Sequence, residues 1–256
     1  MDKTTNNFAF VCKKFYICSI LRELGLWPGE EGLTYKKSDL SKPQVIDKLR
    51  RGSDFYLKNE RVEDVHYDLP FIYAIVKMHK TPIKLRFIIA SCKSPNKTLA
   101  RVAMLGLDAC EKQIERFCES IRNFTGINRF FIINNFQKIA NDIEILNSRP
   151  SEKQISTFDF TSLYTKLTHE RLKNNMEWYV DTAFKGAKLR GQKYLSVYHS
   201  STRWVSRHND NTNSFDSASF KGIIKFLVDN AYFYVGEFVI GQTIGIPMDL
   251  EPVNRD

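Results

Sequence analysis

The sequence has little of what marks membrane, secreted or disulfide-rich proteins. Its apolar runs fall short of the ~18 residues that span a membrane, and Lys13 and Lys14 interrupt the stretch that a signal peptide would keep apolar. The five cysteines are an odd number and include no C-x-x-C pair, which favours reduced thiols over a disulfide framework or a zinc ribbon. We therefore expect an intracellular protein, nuclear or cytoplasmic and not secreted, with no membrane partner.

The short motifs of several enzyme classes are absent as well. There is no glycine-rich Walker loop and no G-x-S-x-G, and the five histidines have neither H-E-x-x-H nor zinc-finger spacing. No internal repeat and no linker rich in glycine, proline or serine divides the 256 residues. With 43% apolar residues, the chain can bury a core, and we expect one α+β body.

Acidic residues are also scarce relative to basic ones. The chain has 38 Lys and Arg against 29 Asp and Glu, a net charge of +9, which favours an acidic partner such as nucleic acid. No acidic residue lies between Asp68 and Asp108, and that window holds the basic residues Lys77, Lys80, Lys84, Arg86, Lys93, Lys97 and Arg101. A solvated basic face without a partner explains such a run equally well.

Periodicity predicts most of the regular structure. Residues 70–76 and 85–90 are rich in aromatic and β-branched residues and predict a β-hairpin. Residues 98–123 keep a helical period without proline, which predicts a long helix. Further segments with a recognisable pattern are a helix at 9–27, a helix near 38–50 capped by Ser41, a helix at 135–147, a strand at 154–160, a helix after a short turn near 165, strand pieces at 194–199 and 202–208, a helix at 217–230 and a strand-turn-strand at 232–241.

Three segments combine such a pattern with polar residues at its end. They are YAIVKMHKTPIKLRFIIAS (73–91), STFDFTSLYTKLTHERL (156–172) and IGQTIGIPM (240–248). In the middle one, Asp159 stands where an apolar strand gives way to a loop. An aspartate at such a position holds a metal ion in some proteins and more often serves as a turn or cap residue.

In this order the three segments resemble the reverse transcriptases of Penelope-like retroelements, relatives of telomerase. NNFAFVCKKFYI (6–17) also looks like that family's segment before the fingers, so the resemblance covers most of the chain. It implies an α+β right-hand polymerase fold with fingers, an incomplete palm and no thumb. The implied boundaries are a helical extension at 1–69 and a reverse transcriptase domain at 70–256, with fingers at 70–150 and a partial palm at 151–256.

The resemblance also implies roles for particular residues. Asp159 would be the catalytic palm carboxylate, and it would hold Mg²⁺ together with the backbone carbonyl of Phe160, which also faces the substrate. Tyr164 would lie under the sugar of the incoming deoxynucleoside triphosphate and exclude a 2′-hydroxyl. Contacts to the triphosphate, the RNA template and the DNA primer would come from Lys77, Lys80 and Arg86 in the fingers hairpin and from Gln242, Gly245, Ile246 and Pro247 in the last turn.

The sequence departs from the family pattern at three points. Val76 replaces a proline, Asp249 replaces the glycine after Pro-Met, and the chain ends before any adjacent pair of aspartates. Because a two-metal site needs several converging carboxylates, we expect a truncated RNA-directed DNA polymerase that is inactive alone. Two alternatives remain open: a non-catalytic nucleic-acid-binding module that uses residues 77–101, and a telomerase-type role, which ranks low because no distinct RNA-binding domain precedes the fingers.

Overall fold

The protein is a mixed α+β structure, as predicted. The computed structural model describes residues 9–29, 34–57, 67–77, 82–127, 129–130, 132, 136–148, 156, 158 and 166–245. The strand predicted at 154–160 lies almost wholly outside these residues. None of the described helices is both long and apolar enough to cross a membrane.

The described helices and strands follow the predicted order closely. The helices are α1 (Lys13–Glu23), α2 (Lys42–Tyr56), α3 (Lys97–Thr125), α4 (Phe136–Asn147), α5 (His169–Lys188) and α6 (Ser217–Asp229). The strands are β1 (Tyr35–Lys37), β2 (Phe71–Lys77), β3 (Lys84–Ala90), β4 (Tyr194–Val197), β5 (Thr202–Val205), β6 (Asn213–Phe215), β7 (Tyr232–Val235) and β8 (Phe238–Gln242). The predicted hairpins and the long helix are therefore confirmed, whereas the short strands β1 and β6 were not predicted.

A five-stranded sheet in the order β1-β8-β7-β2-β3 joins the beginning, middle and end of the described chain. Neighbouring strands are antiparallel except β2 and β7, which run parallel with Phe71 opposite Tyr234. Strand β1 has the polar sequence YKK, which carries no strand signal of its own. It forms because its residues pair with the outer edge of β8, from Tyr35 opposite Gln242 to Lys37 opposite Ile240.

Each face of this sheet is covered by a different helix. Because side chains alternate along a strand, the paired residues divide into two sets, which we call the α1 face and the α2 face. The α1 face buries Ile72, Ile89, Phe233 and Ile240 against Ile20 of α1 and Leu24, the residue that follows the helix. The α2 face packs Val239, Tyr232 and Tyr234 against Val45 and Leu49 of α2.

The main core lies between α3, α5, α6 and the three-stranded sheet β5-β4-β6. Its centre is Phe220 of α6, which is completely buried. Glycine at position 106 of α3 makes room for this ring, because a Cβ there would lie 2.3 Å from Phe220 Cζ. The close approach of α3 and α6 thus depends on Gly106. This packing fixes α5 and α6, the helices that lead to and from the segments of interest.

Candidate functional site

Two of the three segments singled out in the sequence meet directly in the fold. The Gly245 N–H donates a 2.7 Å hydrogen bond to the Leu167 carbonyl, and Thr168 forms a β-bridge with Ile244. His169 Nε2 lies 2.9 Å from the Gly245 carbonyl oxygen; because a carbonyl only accepts, Nε2 carries the proton. We call residues 167–169 and 242–245 the junction.

The turn of the junction is held from several sides by the backbone. The Thr243 and Ile244 N–H groups both donate to the Thr34 carbonyl, at 2.9 and 3.4 Å, and Gln242 N–H donates to Ala231. Gly245 has φ +88°, in the region where a side chain is disfavoured. The chain therefore leaves β8 in one defined direction, toward the start of α5.

Gln242, predicted to contact the nucleotide or template, is buried in the junction. Only 6% of the residue is exposed, and Nε2 donates a 3.0 Å hydrogen bond to the Ile244 carbonyl. Its Oε1 atom is buried and has no hydrogen-bond partner among the described residues. Within the described part of the chain, Gln242 therefore shapes the turn with its amide nitrogen and leaves one acceptor available.

Two of the residues predicted for the hairpin, Lys77 and Arg86, lie on the α2 face of the sheet. Lys77 is paired opposite Lys84 at the loop end of β2 and β3, and Arg86 is opposite Ile75. Lys84 is exposed, while Lys77 and Arg86 are half-buried. These three cations make the outer end of the hairpin strongly basic, which suits contact with phosphates.

The structure does not bring the hairpin cations and Gln242 into contact. The strand registers place Arg86 and Gln242 seven residues apart along the sheet, which at the usual rise is about 23 Å. Gln242 also lies on the α1 face, opposite to Lys77 and Arg86. Lys77 and Arg86 thus share one sheet with Gln242 but lie at a different end of it and on the opposite face.

A cavity of about 450 Å³ opens beside the junction. It lies between the end of the sheet and helices α3, α5 and α6, and Gly245 lines it together with Leu172, Met176, Met104 and Phe233. Its lining is predominantly apolar, so it can accept a flat apolar group and offers little to a phosphate. The basic end of the hairpin therefore suits a phosphate better than this cavity does.

Several predicted site residues lie outside the described residues: Lys80, Asp159, Phe160, Tyr164, Ile246 and Pro247. Asp249, one of the departures from the family pattern, lies outside them too. The Mg²⁺ implied by the resemblance has both of its predicted ligands, Asp159 and Phe160, in this group. Within the described ranges, no cluster of three or more His, Cys, Asp and Glu residues could hold a metal ion. The predicted metal ligands stay predictions.

Sequence reasoning missed two contributors to the junction. Thr34 and His169 are not among the predicted site residues, yet the Thr34 carbonyl accepts two hydrogen bonds from the turn, and His169, the first residue of α5, contacts Gly245. No signal in the sequence marks this contact, because 76 residues separate the two positions. The FDFTSLYT and GQTIG segments, taken together, were the available hint.

No family model, no curated protein and no solved structure matches this chain. The likeness to reverse transcriptases therefore depends on the three sequence segments. The structure adds the contact between two of those segments at the junction.

Proposed function

We propose that this chain is a reverse-transcriptase-like domain, comprising fingers and part of a palm, that holds an RNA template, a DNA primer and a deoxynucleoside triphosphate. The observation that carries the proposal is the junction. A site built from a carboxylate segment and a glycine-proline turn requires those two segments to be neighbours. Here the residues that follow FDFTSLYT in the chain hydrogen-bond to the turn that begins GQTIG.

The hairpin supports the same proposal through its charge. Lys77, Lys84 and Arg86 lie on one face of β2 and β3, and the same sheet continues through β7 to β8, which carries the turn. Arginine gives forked contacts to phosphate oxygens and lysine gives point-charge contacts. We assign Lys77 and Arg86 to the phosphates of the nucleotide or of the template.

The remaining roles follow the sequence segments. Asp159 and the Phe160 carbonyl would hold Mg²⁺, which when bound activates the primer 3′-hydroxyl and stabilises the leaving pyrophosphate. Tyr164 would contact the sugar, and Pro247 would follow Gly245 against the base. These 256 residues contain no two adjacent aspartates, so we expect hybrid binding without primer extension from this stretch alone.

The test is binding of a labelled RNA/DNA hybrid to the purified chain, measured at several salt concentrations. The Lys77→Ala/Arg86→Ala variant should bind more weakly and with a shallower salt dependence, because each lost phosphate contact lowers the slope by about 0.9. The control is Lys112→Ala/Arg116→Ala, which removes the same two charges from exposed positions on α3. Equal losses in both variants would show general charge attraction and would contradict the assignment.

The non-catalytic binding module is separated from this proposal by Asp159. In a polymerase site, Asp159→Asn should abolish the increase in dTTP affinity that Mg²⁺ produces on a hybrid, while hybrid affinity itself stays unchanged. A module without a metal site should show no Mg²⁺-dependent dTTP binding in either protein. That second result, together with salt-sensitive hybrid binding, would replace the polymerase proposal with the binding module.

A further inference from the structure

Four aromatic rings lie on the α2 face of the neighbouring strands β7 and β2. Tyr232 and Tyr234 lie two residues apart on β7 and therefore share a face. Tyr234 is opposite Phe71 of β2, and the two ring centroids are 6.3 Å apart. The Phe71 and Tyr73 rings are 6.1 Å apart. We call Tyr232, Tyr234, Phe71 and Tyr73 the aromatic row. It crosses from one strand to the next and leads toward the basic end of the hairpin.

The row is open to solvent at its middle. Phe71 is 46% exposed, although it lies in an inner strand of the sheet with β7 on one side and β3 on the other. Helix α2 covers Tyr232 and Tyr234 only in part, and both tyrosines and Tyr73 are half-buried. A large aromatic ring left exposed on a sheet is suited to stacking with a flat partner.

Lysines from α2 border the row. Lys42 Nζ lies 3.9 Å from the centroid of the Tyr234 ring and 2.7 Å from Asp68 Oδ1. Lys48 Nζ lies 5.2 Å from the centroid of Tyr232 and 3.3 Å from its hydroxyl. Lys48 is exposed, and the Lys42 side chain keeps 39% exposure. Positive charge therefore stands beside the rings at the β7 end of the row.

The same face carries Lys77, Lys84 and Arg86 at its far end. The registers put Tyr232 and Lys77 eight residues apart along the sheet, about 26 Å at the usual strand rise. Cations thus flank the aromatic row at both ends, and Lys42 among them is paired with Asp68. Rings for bases and cations for phosphates, in alternation along a groove, are what an unpaired nucleic-acid strand requires.

We propose that the α2 face binds single-stranded nucleic acid, with a base stacked on Phe71, phosphates held by Lys42 and Lys48 at one end, and phosphates held by Lys77 and Arg86 at the other. The proposal deepens the proposed function and shares Lys77 and Arg86 with it. The aromatic row and the α2 lysines carry it separately. An acidic protein segment would use the lysines too, but it would not need an aromatic face at position 71.

The experiment measures fluorescence anisotropy of labelled twelve-residue oligo(U) and oligo(dT) with the full chain. Phe71→Leu keeps apolar bulk and removes the stacking face, so affinity should fall at least about fivefold. Phe71→Tyr should restore it. The matched control is Phe238→Leu, because Phe238 is 44% exposed in the same sheet but on the α1 face, beneath Lys37 at 4.5 Å.

The lysines are tested through the salt dependence. Lys42→Gln/Lys48→Gln should lower the slope of log affinity against log salt by about 1.4, since each contact to a single strand contributes about 0.7. Lys37→Gln on the opposite face should leave the slope unchanged. Thermal unfolding of each variant establishes that the chain is folded. If Phe71→Leu unfolds, Phe71→Tyr and Lys42→Gln/Lys48→Gln still test the proposal.

Three outcomes would overturn the proposal: no binding of either oligonucleotide by the folded chain, equal loss in Phe71→Leu and Phe238→Leu, or loss with the lysine variant alone. The last would indicate an acidic protein segment or another polyanion as the occupant. A blunt hybrid in parallel distinguishes the two proposals. If the chain binds the hybrid but not the single strands, the polymerase proposal stands and the α2-face proposal fails. If it binds the single strands but not the hybrid, only the α2-face proposal stands.

Discussion

Replacing Gly245 by alanine tests whether the junction positions the site. Alanine at φ +88° is disfavoured by about 1–2 kcal/mol, and part of this is offset because alanine lowers the entropy of the unfolded chain by about 0.4–1 kcal/mol. We expect the free energy of unfolding to fall by about 1 kcal/mol. For a chain of this length that corresponds to a drop in Tm of about 2–4 °C.

The matched control is Gly126→Ala. Gly126 ends α3 with φ +72°, and a Cβ there would meet nothing within 4 Å. Its backbone cost should therefore be similar, without any effect on the hydrogen bonds that join Gly245 to Leu167 and His169. Urea unfolding of both variants and of the wild type gives the comparison.

The two variants should differ in hybrid binding. Strain at Gly245 shifts the turn against α5, so Gly245→Ala should bind the RNA/DNA hybrid more weakly, whereas Gly126→Ala should bind as the wild type does. If Gly245→Ala is as stable as the wild type, the backbone argument is wrong. If it is destabilised but binds normally, the junction is structural and does not position the site.

Two further predictions concern stability. Phe220→Ala should lower the free energy of unfolding by about 3–5 kcal/mol, because the ring is fully buried, while Phe124→Ala, at a ring 92% exposed, should change it by less than about 0.5 kcal/mol; similar losses would refute the assignment of the core. Asp216 is the N-cap of α6, and its side chain accepts a 2.8 Å hydrogen bond from the Ser219 N–H. This hydrogen bond holds the pKa of the Asp216 carboxyl below the ordinary value of 3.8. Asp216→Ala should therefore lower the free energy of unfolding by about 1 kcal/mol at neutral pH. This difference in unfolding free energy from the wild type should shrink as pH falls below about 4; a difference that stays constant down to about pH 3 would contradict the assignment.

Local sequence determined most of the helices and strands in this protein. The aromatic and β-branched residues of 70–76 and 85–90 specify a hairpin. The unbroken helical period of 98–123 specifies α3. The same holds for α6 and for the hairpin of β7 and β8. In each case the signal lies within a few residues of where the structure forms.

The tertiary structure decided how these elements are combined. Strand β1 exists because β8 offers it an edge, the parallel pairing of β2 with β7 joins residues far apart in the chain, and the contact of His169 with Gly245 spans 76 positions. The aromatic row likewise arises only when Phe71 comes to lie beside Tyr234. Such contacts form when the whole core packs and offsets the entropy of closing long loops, and this balance leaves no periodic trace in the local sequence.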